Sequence, residues 1–232
     1  LGATLEVAAE SVRVACAGLG AGLEVTEEGA TRQIPAAESV RLKRGARLRV
    51  MVGRNAISCI LAVEGGIALQ PVMGSLSTLT RAQIGGFEGR ALAVGDLLPI
   101  VQEEVEERPE LRLPDLDLAV PERIRLVLGP QDDYFTPEAI STLLSGTYEV
   151  TRAADRMGIR LAGAALGHAK GFNIVSDGIA PGSIQVPGDG QPIILLADRQ
   201  TTGGYPKIAT VASVDLPALG RVGPGAKLQF EV

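Results

Sequence analysis

The residues best suited to chemistry lie in one stretch, 176–207, which reads SDGIAPGSIQVPGDGQPIILLADRQTTGGYPK. Arg199 and Lys207 are cations, Gln185 and Gln200 carry carboxamides, and Thr201, Thr202 and Tyr205 carry hydroxyls. Asp189 and Asp198 add carboxylates, and Gly203-Gly204 sits among them. Glycine has no Cβ and accepts positive φ, so a diglycine lets backbone amides approach a ligand. A loop that is only solvated needs no such crowding. Together these groups suit binding a carboxylate, amide or phosphate and stabilising charge that develops on it.

The chemistry that the chain lacks narrows the field. It has no G-x-x-x-x-G-K-[ST], and no G-x-G-x-x-G that follows a strand and opens a helix. H-E-x-x-H, G-x-S-x-G and C-x-x-C are also missing, so zincin, α/β-hydrolase and thioredoxin readings fail. His168 is the sole histidine and has no Ser or Cys in a nucleophile context, so it is read as structural. Cys16 and Cys59 stand in apolar, strand-like surroundings and read as free thiols; two cysteines are too few for a zinc site.

The elements that must position these groups read as short strands. Pro192 to Ala197 is a buried strand that delivers the polar run into the diglycine, and Ile184-Gln185-Val186 is a second strand ahead of a tight turn. Upstream, 4–7, 12–16, 23–25, 39–45 and 46–52 alternate as half-buried strands do, with the charges of 39–52 on a wet face, and 58–63 reads as a buried strand. A helix-like acidic patch, 101–110, has Glu103–Glu107 on a solvated face, and a proline-rich run follows through Pro114 and Pro121. That composition shift divides the chain into 1–110 and 111–232. In the second half 124–128 is a strand, Thr136-Pro137-Glu138 opens a helix with Thr136 as N-cap, and 148–151 is a strand. Arg156 and Arg160 fit surface or inter-barrel ion pairs. A faint internal repeat sets 66–75 beside 178–187, Arg81 before Gly85-Gly86 beside Arg199 before Gly203-Gly204, and 94–98 beside 222–228.

At 232 residues the chain is long enough for a large core. Because 46% of it is hydrophobic but only 3% aromatic, that core is aliphatic, and 29 Gly with 14 Pro favour many short elements. A net charge of −5 argues against non-specific nucleic-acid binding. No apolar run approaches a membrane span and no signal peptide is visible, so a cytoplasmic protein is expected.

The run SDGIAPGSIQVPGDGQPIILLADRQTTGGYPKIATV closely resembles the signature of the KipA family, also labelled allophanate hydrolase subunit 2, carboxyltransferase subdomains A and B, or the C subunit of 5-oxoprolinase. The similarity extends through DRMGIRLAG (155–163), GPQDDYFT (129–136) and GGIALQPVMGSLSTLTRAQIGGFEGRALAVGD (65–96). The resemblance implies a mainly β fold of two linked cyclophilin-like β-barrels with a few short helices. Family members carry a further N-terminal segment with a T-V-Q-D-x-G-R-like motif, which is absent before Thr4.

For function the resemblance implies one component of an ATP-dependent 5-oxoprolinase, which opens 5-oxo-L-proline to L-glutamate with a KipI-type and a LamB/YcsF-type subunit and is inactive alone. The alternatives are the carboxyltransferase component of a biotin-dependent urea carboxylase and a non-catalytic antagonist of a KipI-type kinase inhibitor. Nothing in the chain resembles a biotinylation site, so no biotin site is expected; ATP, with Mg, is expected mainly on the partner subunit. A small lactam or amide is the expected substrate. Under this reading Arg199 and Lys207 supply the cations, and Asp189 and Asp198 orient them or help hold a metal ion with the nucleotide, although both also fit turn caps or strand-end ion pairs. Gln185, Gln200, Thr201, Thr202, Gly203, Gly204 and Tyr205 bind substrate, with Arg81 as a secondary candidate from the matching loop of the first half.

Overall fold

The computed structural model describes residues 2–54, 56–114 and 117–232. The chain forms two compact units, Leu1–Val52 with Cys59–Leu116, and Gly53–Ser58 with Asp117–Val232. Asp115 and Leu116, within the proline-rich stretch, lie outside the described residues. Among the described residues no helix is long and apolar enough to cross a membrane.

The first unit holds β1 (Thr4–Glu6), β2 (Ser11–Ala17), β3 (Gly22–Glu27), β4 (Ala30–Pro35), β5 (Val40–Lys43), β6 (Arg47–Met51) and β7 (Ile60–Val63). They form antiparallel sheets ordered β1-β6-β3-β4 and β5-β2-β7. Alternation puts Leu23, Val25, Leu42 and Leu48 into one aliphatic core. The β3–β4 hairpin turns at Glu28 and Gly29, both at positive φ (51° and 83°), as a two-residue turn matching strand twist requires. Strand β4 escapes sequence reading because its pattern is nearly all exposed. Residues 58–63 do not form a buried strand. Strand β7 is a sheet edge, and Ile60 is 71% exposed.

Two further expectations are corrected here. Strand β2 is not half-wet but buried on both faces, and 101–110 is not helical. One network causes both. Arg13 Nη1 donates to Glu64 at 2.7 Å, Nε to Glu110 at 3.1 Å and Nη2 to the Glu106 carbonyl at 3.0 Å. Ser11 Oγ accepts from the Val105 amide at 3.0 Å, and Val105 is buried. The acidic run is therefore an extended strap laid across β2, its backbone pinned by side chains some ninety positions away. The glycine-rich segment between them carries, among the described residues, only isolated bridges such as Ile67↔Ile100 and Leu79↔Ile84. Arg90 pairs there with Asp96 at 2.7 and 2.9 Å and holds that carboxyl down to about 2.

The second unit holds β8 (Ile124–Leu128), α1 (Pro137–Ser145), β9 (Tyr148–Val150), β10 (Gly158–Ala162), β11 (Asp177–Gly178), β12 (Ser183–Gln185), β13 (Ile193–Leu195), β14 (Thr202–Gly203), β15 (Lys207–Val211), α2 (Leu216–Leu219), β16 (Lys227–Leu228) and β17 (Phe230–Glu231). Helix α1 begins as read: the Thr136 hydroxyl accepts from the Ala139 amide at 3.1 Å, with Pro137 next in line. The eight-stranded sheet runs β16-β9-β10-β13-β12-β15-β8-β17. Its two end strands are consecutive in sequence with only Gln229 between them, so a single terminal segment joins both edges and the sheet is barrel-like. Closure removes the open edges that a sheet otherwise presents. The interior is filled by Ile124, Leu143, Tyr148, Ile184, Ile194, Ile208 and Phe230. Among the described residues the fold is thus mainly β with a few short helices, as expected: α1, α2 and a 3-10 turn at Asp132–Tyr134.

Because Arg13 is 3% exposed and gathers two carboxylates and the strap backbone, Arg13→Ala is expected to cost about 3 kcal/mol of stability in urea denaturation. The Arg13 guanidinium holds the Glu64 carboxyl below its usual range. The clamp's contribution is therefore present above about pH 4.5 and is lost as pH falls through the lowered value; the urea midpoint should drop there in the wild type and less in the variant.

Candidate functional site

The site of the second unit is built where β12 meets β15. Gln185 and Lys207 are register partners across that pair, at a bulge between Ile184 and Gln185, so both side chains leave the same face. Strand β15 starts directly after Pro206, whose carbonyl accepts from the Val186 amide at 3.1 Å. The small ribbon β11–β14 places Asp177 opposite Gly203 and Gly178 opposite Thr202. Backbone bonds extend it on both sides: the Ile179 amide donates to Thr201 and the Ile174 amide to Gly204.

Lys207 is 2% exposed, among the most buried large side chains in the chain. Its Nζ donates to Asp177 Oδ2 at 2.8 Å, and no other acceptor for it is found among the described residues. An ammonium has three N–H donors, and a buried one left short of acceptors is costly. Lys207 is thus shut away from bulk water while most of its donor capacity stays open. Gln131 ties the pair together: its Oε1 accepts from the Lys207 amide at 3.1 Å and its Nε2 donates to Asp177 Oδ2 at 3.2 Å. Lys207 first, then the Gly178 amide and Gln131, hold the Asp177 carboxyl below its usual range.

Gln185 is buried beside this pair, with Nε2 donating to the Tyr205 carbonyl at 3.2 Å. Gly203 is needed for space rather than conformation. Neither Gly203 nor Gly204 has a left-handed φ, but a Cβ at Gly203 would stand 2.7 Å from Ile179 Cδ1 and 2.8 Å from Gln185 Nε2. Gln200, Thr201, Thr202 and Tyr205 are exposed on the same loop, and Gly204 is half-buried.

The other candidates are placed elsewhere or otherwise engaged. Arg199 donates from Nε to the Ile179 carbonyl at 3.0 Å and from Nη1 to the Leu196 carbonyl at 3.2 Å, so it braces the loop from behind. Asp198 forms a two-pronged surface pair with Arg156 at 2.7 and 3.1 Å. Asp189 accepts from the Gln191 amide at 3.0 Å and caps its turn. Arg81 is exposed in the first unit, on the bridge-only segment that forms no counterpart of β11–β14. Sequence reading does not single out Asp177 or Gln131; both lie in the family motifs, and only the buried lysine shows why they matter.

The carboxyltransferase domain, subdomain A and B, family model matches residues 1–232. The chain belongs to that family. Among its relatives, the C subunit of 5-oxoprolinase from Escherichia coli (strain K12) is 36% identical over 189 residues, covering 82% of this chain and 60% of the relative. The Haemophilus influenzae protein of the same name is 42% identical over 176 residues, covering 74% and 54%. The crystal structure of the Kluyveromyces lactis urea carboxylase superposes over 98% of this chain and 22% of its own, with TM-score 0.82 and 27% identity. The chain therefore spans about 54–60% of the length of the 5-oxoprolinase components that it matches.

The Lys207–Asp177 face is a poor fit for the phosphates of a nucleotide. Phosphates need unpaired cations or a row of free amides. Here the Asp177 carboxylate stands 2.8 Å from the buried ammonium and would repel a phosphate, and Arg199 turns Nε and Nη1 to its own loop.

Since Arg199 braces two carbonyls, Arg199→Ala is expected to lower stability by about 1–3 kcal/mol. Thermal and urea melts check this; an unchanged melt with lost activity would return Arg199 to a direct role.

Proposed function

We propose that this chain is a component of an ATP-dependent 5-oxoprolinase that opens 5-oxo-L-proline to L-glutamate. The observation that carries the reading is Lys207: buried, charged, and short of acceptors beside a loop that Gly203 lets pack against Ile179 and Gln185. Opening an unreactive lactam builds negative charge on its oxygen, and a cation preplaced in a dry site stabilises that charge without reorganising. The name shared by the two bacterial relatives is that of one member of a multi-subunit enzyme. On this reading the assembly also holds a KipI-type and a LamB/YcsF-type subunit, and ATP is bound there rather than at Lys207.

A second reading is carboxyl transfer to urea from carboxybiotin. What favours it is the likeness to the urea carboxylase structure over nearly the whole chain. The same buried ammonium would then steady a urea or carbamate oxygen.

The test is glutamate release from 5-oxoproline with ATP by this chain mixed with its KipI-type and LamB/YcsF-type partners, each omitted in turn. Release is expected only when all are present. Lys207→Met keeps the buried volume and removes the charge, and is expected to lower turnover at least about 100-fold while the circular dichroism spectrum is unchanged. Glutamate release without this chain, or an active Lys207→Met enzyme, would overturn the reading; carboxybiotin-dependent carboxylation of urea would then be measured.

A further inference from the structure

The hydrogen-bond capacity left open around Lys207 has a definite shape. Nζ uses one donor on Asp177 Oδ2. That oxygen also accepts from Gln131 Nε2 at 3.2 Å, and Oδ1 accepts from the Gly178 amide at 2.7 Å. A carboxylate has about four acceptor sites, so roughly one stays open on Asp177. Open donors on Nζ thus stand beside an open acceptor on a carboxylate 2.8 Å away, and Asp177 is 52% exposed, so the pair is reachable from its side.

A donor next to an acceptor matches a ligand edge that carries both in the reverse sense. A trans amide points its N–H and C=O in opposite directions, whereas a ring lactam is held cis and shows both on one edge. We propose that Lys207 and Asp177 form a clamp for a cis-amide edge: the carbonyl oxygen accepts from Lys207 Nζ and the N–H donates to Asp177. The inference rests on reading this face as a substrate site, and it names what that site recognises. Lactams fit, as do urea and primary carboxamides, which carry an N–H on the same side as the oxygen. The pair is neutral overall, so an anionic group on the ligand is not what it selects.

Gln131 is the positioning residue of the clamp. It bonds both members at once, through Oε1 to the Lys207 amide and Nε2 to Asp177, while its own amide donates to the Lys207 carbonyl at 3.1 Å. With Oδ2 taken by Lys207 and Gln131 and one lone pair of Oδ1 by the Gly178 amide, the lone pair left to meet an N–H lies on Oδ1.

Ligand-observed NMR on the whole chain tests this without requiring turnover. The probes are 2-pyrrolidone, which has the cis-amide edge, and N-methyl-2-pyrrolidone, which keeps the carbonyl and lacks the N–H. The wild type is expected to bind 2-pyrrolidone about tenfold more tightly, the worth of one buried hydrogen bond. Asp177→Ala is expected to bring the ratio to near one, and near-isosteric Asp177→Leu, which has no acceptor, serves if the alanine variant fails to fold. Asp177→Glu should restore the preference, Gln131→Ala should narrow it, and Lys207→Met should weaken both ligands. Equal binding of the two lactams by the wild type, no binding of 2-pyrrolidone, or a preference that survives Asp177→Ala or Asp177→Leu would overturn the clamp. An unchanged ratio in Gln131→Ala would overturn the role of that residue. A ratio that behaves as expected in a chain that supports no glutamate release would keep the clamp and remove the oxoprolinase reading.

Discussion

An ammonium leaves water only if something replaces its hydration, and the second unit turns on how little replaces it at Lys207. The residue begins β15, which is flanked by β12 and β8 in a sheet whose two ends are joined by one terminal segment. Closure makes the position rigid, and burial at 2% exposure makes the charge expensive. One carboxylate offsets that cost in part. The surroundings hold this arrangement in place: Gly203 without a side chain lies against Ile179 and Gln185, Gln185 turns toward a carbonyl, and Arg199 braces the loop from behind. Within the polar run 198–207, Asp198 and Arg199 are thus engaged within the fold itself, and Lys207 is the cation withdrawn from water.

This is also why the sequence marks the neighbourhood and not the pairings within it. Lys207, Gln185 and Gly203 could be picked out because a buried-strand pattern runs straight into them. The partners of Lys207 could not. Asp177 lies 30 positions upstream and Gln131 76, and no local pattern marks a turn carboxylate as the counterion of a distant lysine. Arg199 drew attention as a cation, yet whether a guanidinium faces a ligand or its own loop depends on carbonyls that composition does not reveal.

The fold divides the same way. Elements with a local cause were legible: Thr136 and Pro137 open α1, and alternation marks β5, β6 and β8. Strand β4 was silent because nearly all of it faces water. The strap at 101–110 misled because its glutamates read as a solvated helix face, while its extended form is imposed by Arg13 and Ser11. Tertiary hydrogen bonds to the backbone outweigh propensity where a segment has few apolar contacts of its own.

Arg13 and Lys207 make an instructive pair. Both are cations almost wholly removed from water. Arg13 places its donors on Glu64, Glu110 and the backbone of the strap, so little capacity remains for anything else. A guanidinium saturated in this way fixes structure and has nothing left to offer a ligand. Lys207 is equally buried, but it meets one carboxylate and stops. Burial alone does not separate an architectural charge from a working one, since it raises the cost of both. The difference lies in the donors left over: Arg13 has placed most of its donors on its own fold, whereas Lys207 has placed one on Asp177.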